Sequence, residues 1–371
     1  MKVKVTNLDA LRNALSFSDM AYTAKRMGIL ECTLIEARDN VLTLTFSDLR
    51  FWLQTEIPAE VIEGGSVAVS TTLLEGFVRH AENPVTITAL GDKVVVASGE
   101  AELKLAAYDD EDFPREVEAR TICTITVQAD VLRQALKKIL FIPLKDELKP
   151  AKSSVYMHVV DRELRLVATD GVRIGIVPLL KQCDVENADV LFPRQAMQIL
   201  QKLINIVPAC DVTIAFMATT FTISRTVFMV GSFSLSSPVL DYEYPNYQRL
   251  IPDRIVSEVR VDRELIVKAL RTLCRANRVV KLNPGHDSLT LSLVARDGSD
   301  IANTRRVKHC EIQGEIPQIA FDARLLLEPL GVIDDEEVTI RFSGPSLPAV
   351  VEGKDYTYIV MPMRLPTDKK N

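Results

Sequence analysis

No two cysteines in this 371-residue chain have the C-x-x-C spacing of a zinc knuckle or a thiol redox motif. The six, at 32, 123, 183, 210, 274 and 310, are scattered, and they read as reduced, mostly buried thiols. Histidine is as scarce: the four, at 80, 158, 286 and 309, never fall at H-x-x-x-H spacing, so neither a histidine-rich metal site nor any other cofactor is expected. G-x-x-x-x-G-K-[ST], G-x-G-x-x-G and G-x-S-x-G are all absent, which removes the usual signals of a phosphate cradle, a dinucleotide turn and a nucleophile elbow. A long apolar run is missing too. Val212 to Gly231 is broken by Thr, Ser and Arg225 and reads as two alternating strands, not as the roughly 20-residue apolar span of a membrane helix. Met1-Lys-Val-Lys-Val-Thr has no apolar core ahead of a small-residue cleavage site, so the expected location is the cytoplasm, away from membranes.

What is present is an ordinary globular composition, 47% hydrophobic and 25% charged. At roughly 100 to 200 residues per domain the length allows two or three domains. Internal repetition decides between them. Residues 5 to 15 (V-T-N-L-D-A-L-R-N-A-L), 126 to 136 (T-V-Q-A-D-V-L-R-Q-A-L) and 260 to 270 (R-V-D-R-E-L-I-V-K-A-L) each run from a short β segment into an apolar-periodic helix. A second strand-to-helix landmark follows each, with start signals Ser70, Pro193 and Asp322. Between the two lie alternating runs that end at an Asp turn, beginning at Leu42, Leu164 and Leu289. Phe113-Pro114, Tyr244-Pro245 and Met361-Pro362 close the three copies. The expectation is an α+β chain of three tandem similar domains, 1–120, 121–253 and 254–371, each with two helices and antiparallel sheets. Strand-rich units with two helices leave sheet edges that neighbouring copies can pair, and the two outermost edges can be met by a second chain, head to tail. Pro329 predicts that the last helix ends by Glu328 or kinks.

Charge is uneven. Copy one carries a net −8 and the other two +1 each, which together give the −6 of the whole chain. An acidic total argues against gripping nucleic acid by general attraction. Yet Arg133, Lys137 and Lys138 in copy two, and Arg263, Lys268, Arg271, Arg275 and Arg278 in copy three, gather on or beside the first helices. This pattern fits either a solvated face biased by the helix dipole or a weak cationic lining for phosphates. No base-reading signature accompanies it, so any DNA contact should be independent of sequence. A metal enzyme using Asp170, Asp297 or the Asp109–Asp112 run is the rival reading, although acidic runs are usually solvated loops.

Three segments carry a specific resemblance: Leu166-Val-Ala-Thr-Asp-Gly-Val-Arg-Ile174, Tyr244-Pro-Asn-Tyr-Gln-Arg-Leu-Ile-Pro252 and Tyr358-Ile-Val-Met-Pro-Met-Arg-Leu365. In length, repeat order and these motifs the chain resembles the bacterial sliding clamps, the beta subunits of DNA polymerase III. The resemblance implies a head-to-tail homodimeric ring, helices inside and sheets outside, that encircles duplex DNA and confers processivity without catalysis. It also implies partners, namely polymerase and clamp-loader subunits that dock through short peptides. The implied peptide pocket takes Thr169, Gly171, Val172, Arg173 and Ile174, then Pro245, Arg249 and Leu250, and the tail Val360, Met361, Pro362, Met363, Arg364 and Leu365. Asp322 and Leu325 match neighbouring positions of the family. Lys25, Arg26, Arg79, Lys137, Lys149, Lys152, Arg194, Lys202 and Arg271 would face DNA, while Leu103 and Leu105 would meet Arg275 and Ala276 of a second subunit. Val172 stands where many family members are polar or basic, Ser153 near a usual pocket leucine, and 366–371 extend past the usual end, so pocket selectivity is expected to differ. A clamp-like protein that binds partners without circling DNA is the intermediate alternative.

Overall fold

The structure is a computed structural model that describes residues 1–17, 28–180, 188–207, 210–219, 222–274, 279–294 and 300–364. Six α-helices occur among them: α1 (Leu8–Leu15), α2 (Thr71–His80), α3 (Ala129–Ile139), α4 (Arg194–Ile206), α5 (Arg263–Cys274) and α6 (Ala323–Leu330). Each buries one apolar stripe. In α3 the fully buried side chains are Leu132, Ala135, Leu136 and Ile139, the i, i+3, i+4, i+7 spacing of a single helical face. Helix starts follow the polar residues ahead of them. Asn7 Oδ1 accepts from the N–H of Ala10 at 3.1 Å, Asp262 Oδ1 from Leu265 at 2.9 Å, and Asp322 Oδ1 from Arg324 at 2.9 Å, each meeting a donor the first turn leaves open. α6 runs two residues beyond the expected Glu328. Pro329 lies in its final turn and Gly331 caps it, donating to Leu327 and Glu328 carbonyls. Fixing φ near −65° is compatible with that turn, so the proline falls inside the helix instead of ending it.

Among the described residues, all strand pairings are antiparallel. Val212–Gly231 does contain two strands, Asp211–Ala218 and Ile223–Val230. The sheets do not stop at repeat boundaries. In an eight-stranded sheet, Phe233–Pro238 of copy two pairs with Trp52–Pro58 of copy one in the register Phe233↔Thr55, Leu235↔Leu53. In a nine-stranded sheet, Arg173–Leu180 of copy two pairs with Tyr356–Val360 of copy three in the register Arg173↔Val360, Ile174↔Ile359. Edge pairing between copies is therefore observed. The chain divides into two compact units, 1–130 with 198–239 and 131–197 with 240–371, so the middle repeat is shared between them. Among the described residues, free edges remain on the smaller sheets, where Ala101–Ala106 ends a five-stranded sheet and Asp300–Lys308 a four-stranded one.

Among the described residues, no helix is long and apolar enough to cross a membrane, and no cluster of His, Cys, Asp and Glu could hold a metal ion. Five cysteines are described and all are free; Cys32 and Cys310 are buried, whereas Cys123, Cys210 and Cys274 are half-buried.

Candidate functional site

The second compact unit brings the three motif segments together. Thr169 ends the strand Glu163–Thr169, and the next four residues form a tight turn. Thr169 Oγ1 donates to the carbonyl of Arg173 at 2.7 Å and accepts from the N–H of Gly171 at 3.0 Å, and Asp170 Oδ1 accepts from the N–H groups of Val172 (3.0 Å) and Arg173 (3.2 Å). Gly171 has φ +97°, a backbone that side chains with a Cβ rarely adopt, which is why glycine occupies it. Asp170 is thus a turn-forming residue whose oxygens are already taken.

Arg173 leaves this turn with its guanidinium almost fully enclosed, 8% exposed. Nε donates to Asp170 Oδ2 at 2.8 Å, Nη1 to Glu328 Oε2, and Nη2 to the Phe141 carbonyl at 3.4 Å, while the group lies 5.4 Å from the Phe141 ring centre. Burial works against this charge, but Tyr358, Glu328 and Asp170 outweigh it and hold the guanidinium pKa above its ordinary value. Arg173 is therefore a structural tie between the turn, α6 and the chain after α3. Neither Glu328 nor Phe141 was expected from sequence, because no local pattern links residues so far apart.

Beneath the turn, Ile174 and Ile359 join Val167, Ile176, Val350 and Tyr247 in one buried cluster, with Tyr156, Tyr244 and Ile251 against it. Tyr247 opens the short helical turn Tyr247–Leu250 and is held by a 2.8 Å hydrogen bond between its hydroxyl and His158 Nδ1. Tyr156 stacks on Tyr244 at 4.4 Å and donates to Asp189 at 2.6 Å, and burial together with Asp189 raises its hydroxyl pKa. The tail then crosses the turn: Met361 N–H donates to the Val172 carbonyl at 2.9 Å and Met363 N–H to Ala320 at 2.7 Å. Val172 (47%), Leu250 (50%), Met361 (44%) and Met363 (43%) keep large apolar surface in solvent, and Pro245, Arg249 and Arg364 are exposed. Val360 and Ile174 form the floor; Pro362, Asp322 and Leu325 are half-buried. Leu365 lies outside the described residues. Exposed methionine and branched side chains over a rigid floor suit short apolar segments of varied sequence.

The cations expected to face DNA are dispersed in their roles. Lys25 and Arg26 lie outside the described residues. Arg79 is exposed and pairs with Glu75 one helical turn away at 2.5 Å; Lys137 pairs with Asp334 and Lys149 with Asp146, both at 3.4 Å. Arg271 is exposed on α5. Two of them lie against close neighbours within the chain. Lys202 is half-buried, donates to the Ser16 carbonyl and stands 4.6 Å over the Phe17 ring, so its ammonium is occupied in tying α4 to the end of α1. Lys152 lies along Gly171, on the apolar turn, because a glycine there leaves room for its stem. Arg194 is half-buried at the start of α4, its N–H on the Ser153 carbonyl at 3.2 Å.

Of the residues expected between subunits, Leu103 is half-exposed on the free edge Ala101–Ala106, whereas Leu105 is only 3% exposed and packs into its own domain. The two-residue alternation of a strand puts both on one face, where Leu105 is covered and Leu103 only half-covered. Arg275 and Ala276 lie outside the described residues.

Comparison with known proteins agrees with this architecture. Residues 7–117, 126–246 and 248–364 match, in order, the N-terminal, central and C-terminal domains of the DNA polymerase III beta subunit. The beta sliding clamp of Synechococcus elongatus is 28% identical over 336 residues, covering 87% of this chain and 88% of that protein. That of Staphylococcus epidermidis is 24% identical over 354 residues, covering 91% and 92%. The fold matches the crystal structure of the Thermotoga maritima DNA polymerase III beta subunit (TM-score 0.87, 23% identity, 98% and 99% covered). It also matches that of the Pseudomonas aeruginosa sliding clamp bound to griselimycin (TM-score 0.89, 23% identity, 98% and 100% covered). With all three of its domains matched in sequence order, the chain belongs to the DNA polymerase III beta subunit family, the sliding clamps, which are processivity factors for a DNA polymerase and not enzymes.

Proposed function

We propose that two copies of this chain close head to tail into a ring around duplex DNA, in the cytoplasm, and that each copy holds polymerase or clamp-loader subunits by a short peptide laid on the Val172–Met361 surface. The observation that carries the reading is the pair of free sheet edges. Ala101–Ala106 belongs to the repeat of net charge −8, and Asp300–Lys308 carries Arg305, Arg306 and Lys308. Two different edges, one of them basic, favour a heterologous contact over a like-with-like one, and a heterologous contact that closes makes a ring. The family supplies the rest: helices toward DNA, sheets outward.

Confinement explains why an acidic protein can serve DNA. A closed ring cannot leave a circle sideways, so its phosphate contacts need only be weak and poorly specific, which keeps sliding easy. Processivity follows from effective concentration, since a tethered polymerase rebinds its primer end without diffusing away. Repeat limits near 120 and 253 fit this scheme. With a competent loader, the protein is expected to stay on nicked circular DNA and to be lost when the circle is linearised. Equal retention on both would overturn the ring and favour a clamp-like binder that does not encircle.

A further inference from the structure

We propose that Lys152 is a specificity-determining residue of the peptide surface, selecting partner segments that carry an acidic side chain next to an aliphatic one. The inference rests on the peptide-binding reading above and deepens it.

Three observations carry it. First, the lysine stem is laid on the turn: a methyl group added at Gly171 would stand 2.5 Å from Lys152 Nζ and 2.9 Å from Cε. Second, its backbone is fixed. Lys152 ends the short helical turn Pro150–Lys152, its N–H donates to the Lys149 carbonyl at 2.9 Å, and its own carbonyl accepts from Leu144 at 2.7 Å. Third, among the described residues its ammonium has no hydrogen bond or ion pair. The two carboxylates that shape this turn are committed elsewhere: Asp170 to Arg173 and two backbone N–H groups, Glu328 to Arg173. An uncompensated cation therefore stands at Gly171, next in sequence to the exposed Val172, whose carbonyl accepts from the N–H of the exposed Met361 at 2.9 Å. A segment whose aliphatic side chain covers Val172 and Met361 would bring a neighbouring carboxylate to Lys152. Because the ammonium is exposed, the contact discriminates between partners more than it adds affinity.

The test uses the full-length protein and two N-terminally fluorescein-labelled hexapeptides, Gly-Gly-Leu-Glu-Leu-Leu and Gly-Gly-Leu-Gln-Leu-Leu, with fluorescence anisotropy as readout. At about 50 mM salt the wild type should bind the Glu peptide about threefold to fivefold more tightly, and the gap should close toward 500 mM as screening grows. Lys152→Gln should equalise the two peptides, and Lys152→Glu should reverse the order. Griselimycin, bound by solved relatives, serves as the control ligand for the groove. If griselimycin binds but the peptides are not distinguished, or neither peptide binds, the role of Lys152 is refuted while the groove stands. If griselimycin and both peptides all fail to bind, the groove reading itself falls, and this inference with it.

Discussion

Arg173 donates to Glu328 across 155 residues of sequence, joining the Thr169–Arg173 turn of the middle repeat to the last helix of the third. Its guanidinium also holds Asp170, whose side chain is 10% exposed. Removing one partner of such an enclosed pair strands the other charge and is expected to be costly. Arg173→Ala should lower unfolding stability by about 3 kcal/mol, read as a reduced urea midpoint. Arg173→Lys should recover only part of it, since a single ammonium cannot span Asp170, Glu328 and the Phe141 ring together. A loss below about 1 kcal/mol would show that the tie is not structural.

Arg225 makes a comparable tie in the first compact unit. Its guanidinium sits 4.5 Å from the Trp52 ring centre, reaches Glu116 at 2.6 Å and donates to the Arg50 carbonyl at 3.0 Å. Trp52 is the chain's single tryptophan, so its emission reports on this contact alone. Arg225→Ala should shift the emission maximum and increase acrylamide quenching, with a stability loss of about 2 kcal/mol. An unchanged spectrum would contradict the stacking.

Leu103 and Leu105 should separate cleanly. Leu103→Asp, at the rim of the free edge, should convert a particle of twice the 41.3 kDa chain mass into a monomer in sedimentation, with little change in the unfolding midpoint of the single chain. Leu105→Ala removes a buried side chain and should cost about 2 to 4 kcal/mol of folding stability in either state. A dimer that survives Leu103→Asp would move the interface elsewhere.

His158 gives a pH dependence of known sign. Burial, opposed by Asp189 and aided by Arg165, holds its pKa below the ordinary 6.5. The unfolded chain therefore takes up this proton more readily than the folded one. Stability from the neutral ring is present above about pH 6.5 and is lost as pH falls through that value toward the lower folded one. His158→Gln should flatten the fall in urea midpoint between pH 7.5 and 5.5, while costing about 1 kcal/mol at pH 7.5 from the lost Tyr247 bond. A variant with the wild-type slope would exclude His158 as a contributor.

The repeat and its helices were legible because their signals are local. Apolar periodicity, Asp322 at a helix start, and the Thr169-Asp-Gly turn all act within a few residues. Pairing of sheet edges between copies was legible too, but which strands pair depends on distance. The eight- and nine-stranded sheets pair strands such as Phe233–Pro238 with Trp52–Pro58, far apart in sequence, and no period records that. The surroundings of Lys152 and Lys202 were hidden for the same reason: what lies against a lysine is decided by neighbours such as Gly171 or Ser16 that only folding brings close. The burial of Leu105 was hidden because alternation gives the face of a strand but not what covers each residue on it.

The two long sheets also limit how the gene can be trimmed. A cut between Tyr108 and Thr121 would take Trp52–Pro58 from Phe233–Pro238, and a cut near Asp253 would take Tyr356–Val360 from Arg173–Leu180. Either fragment would bare unsatisfied backbone amides and carbonyls along a raw margin, an invitation to clumping. The unit that repeats along the sequence is therefore not a unit that can be purified alone, and the middle repeat expressed by itself should be recovered as insoluble material.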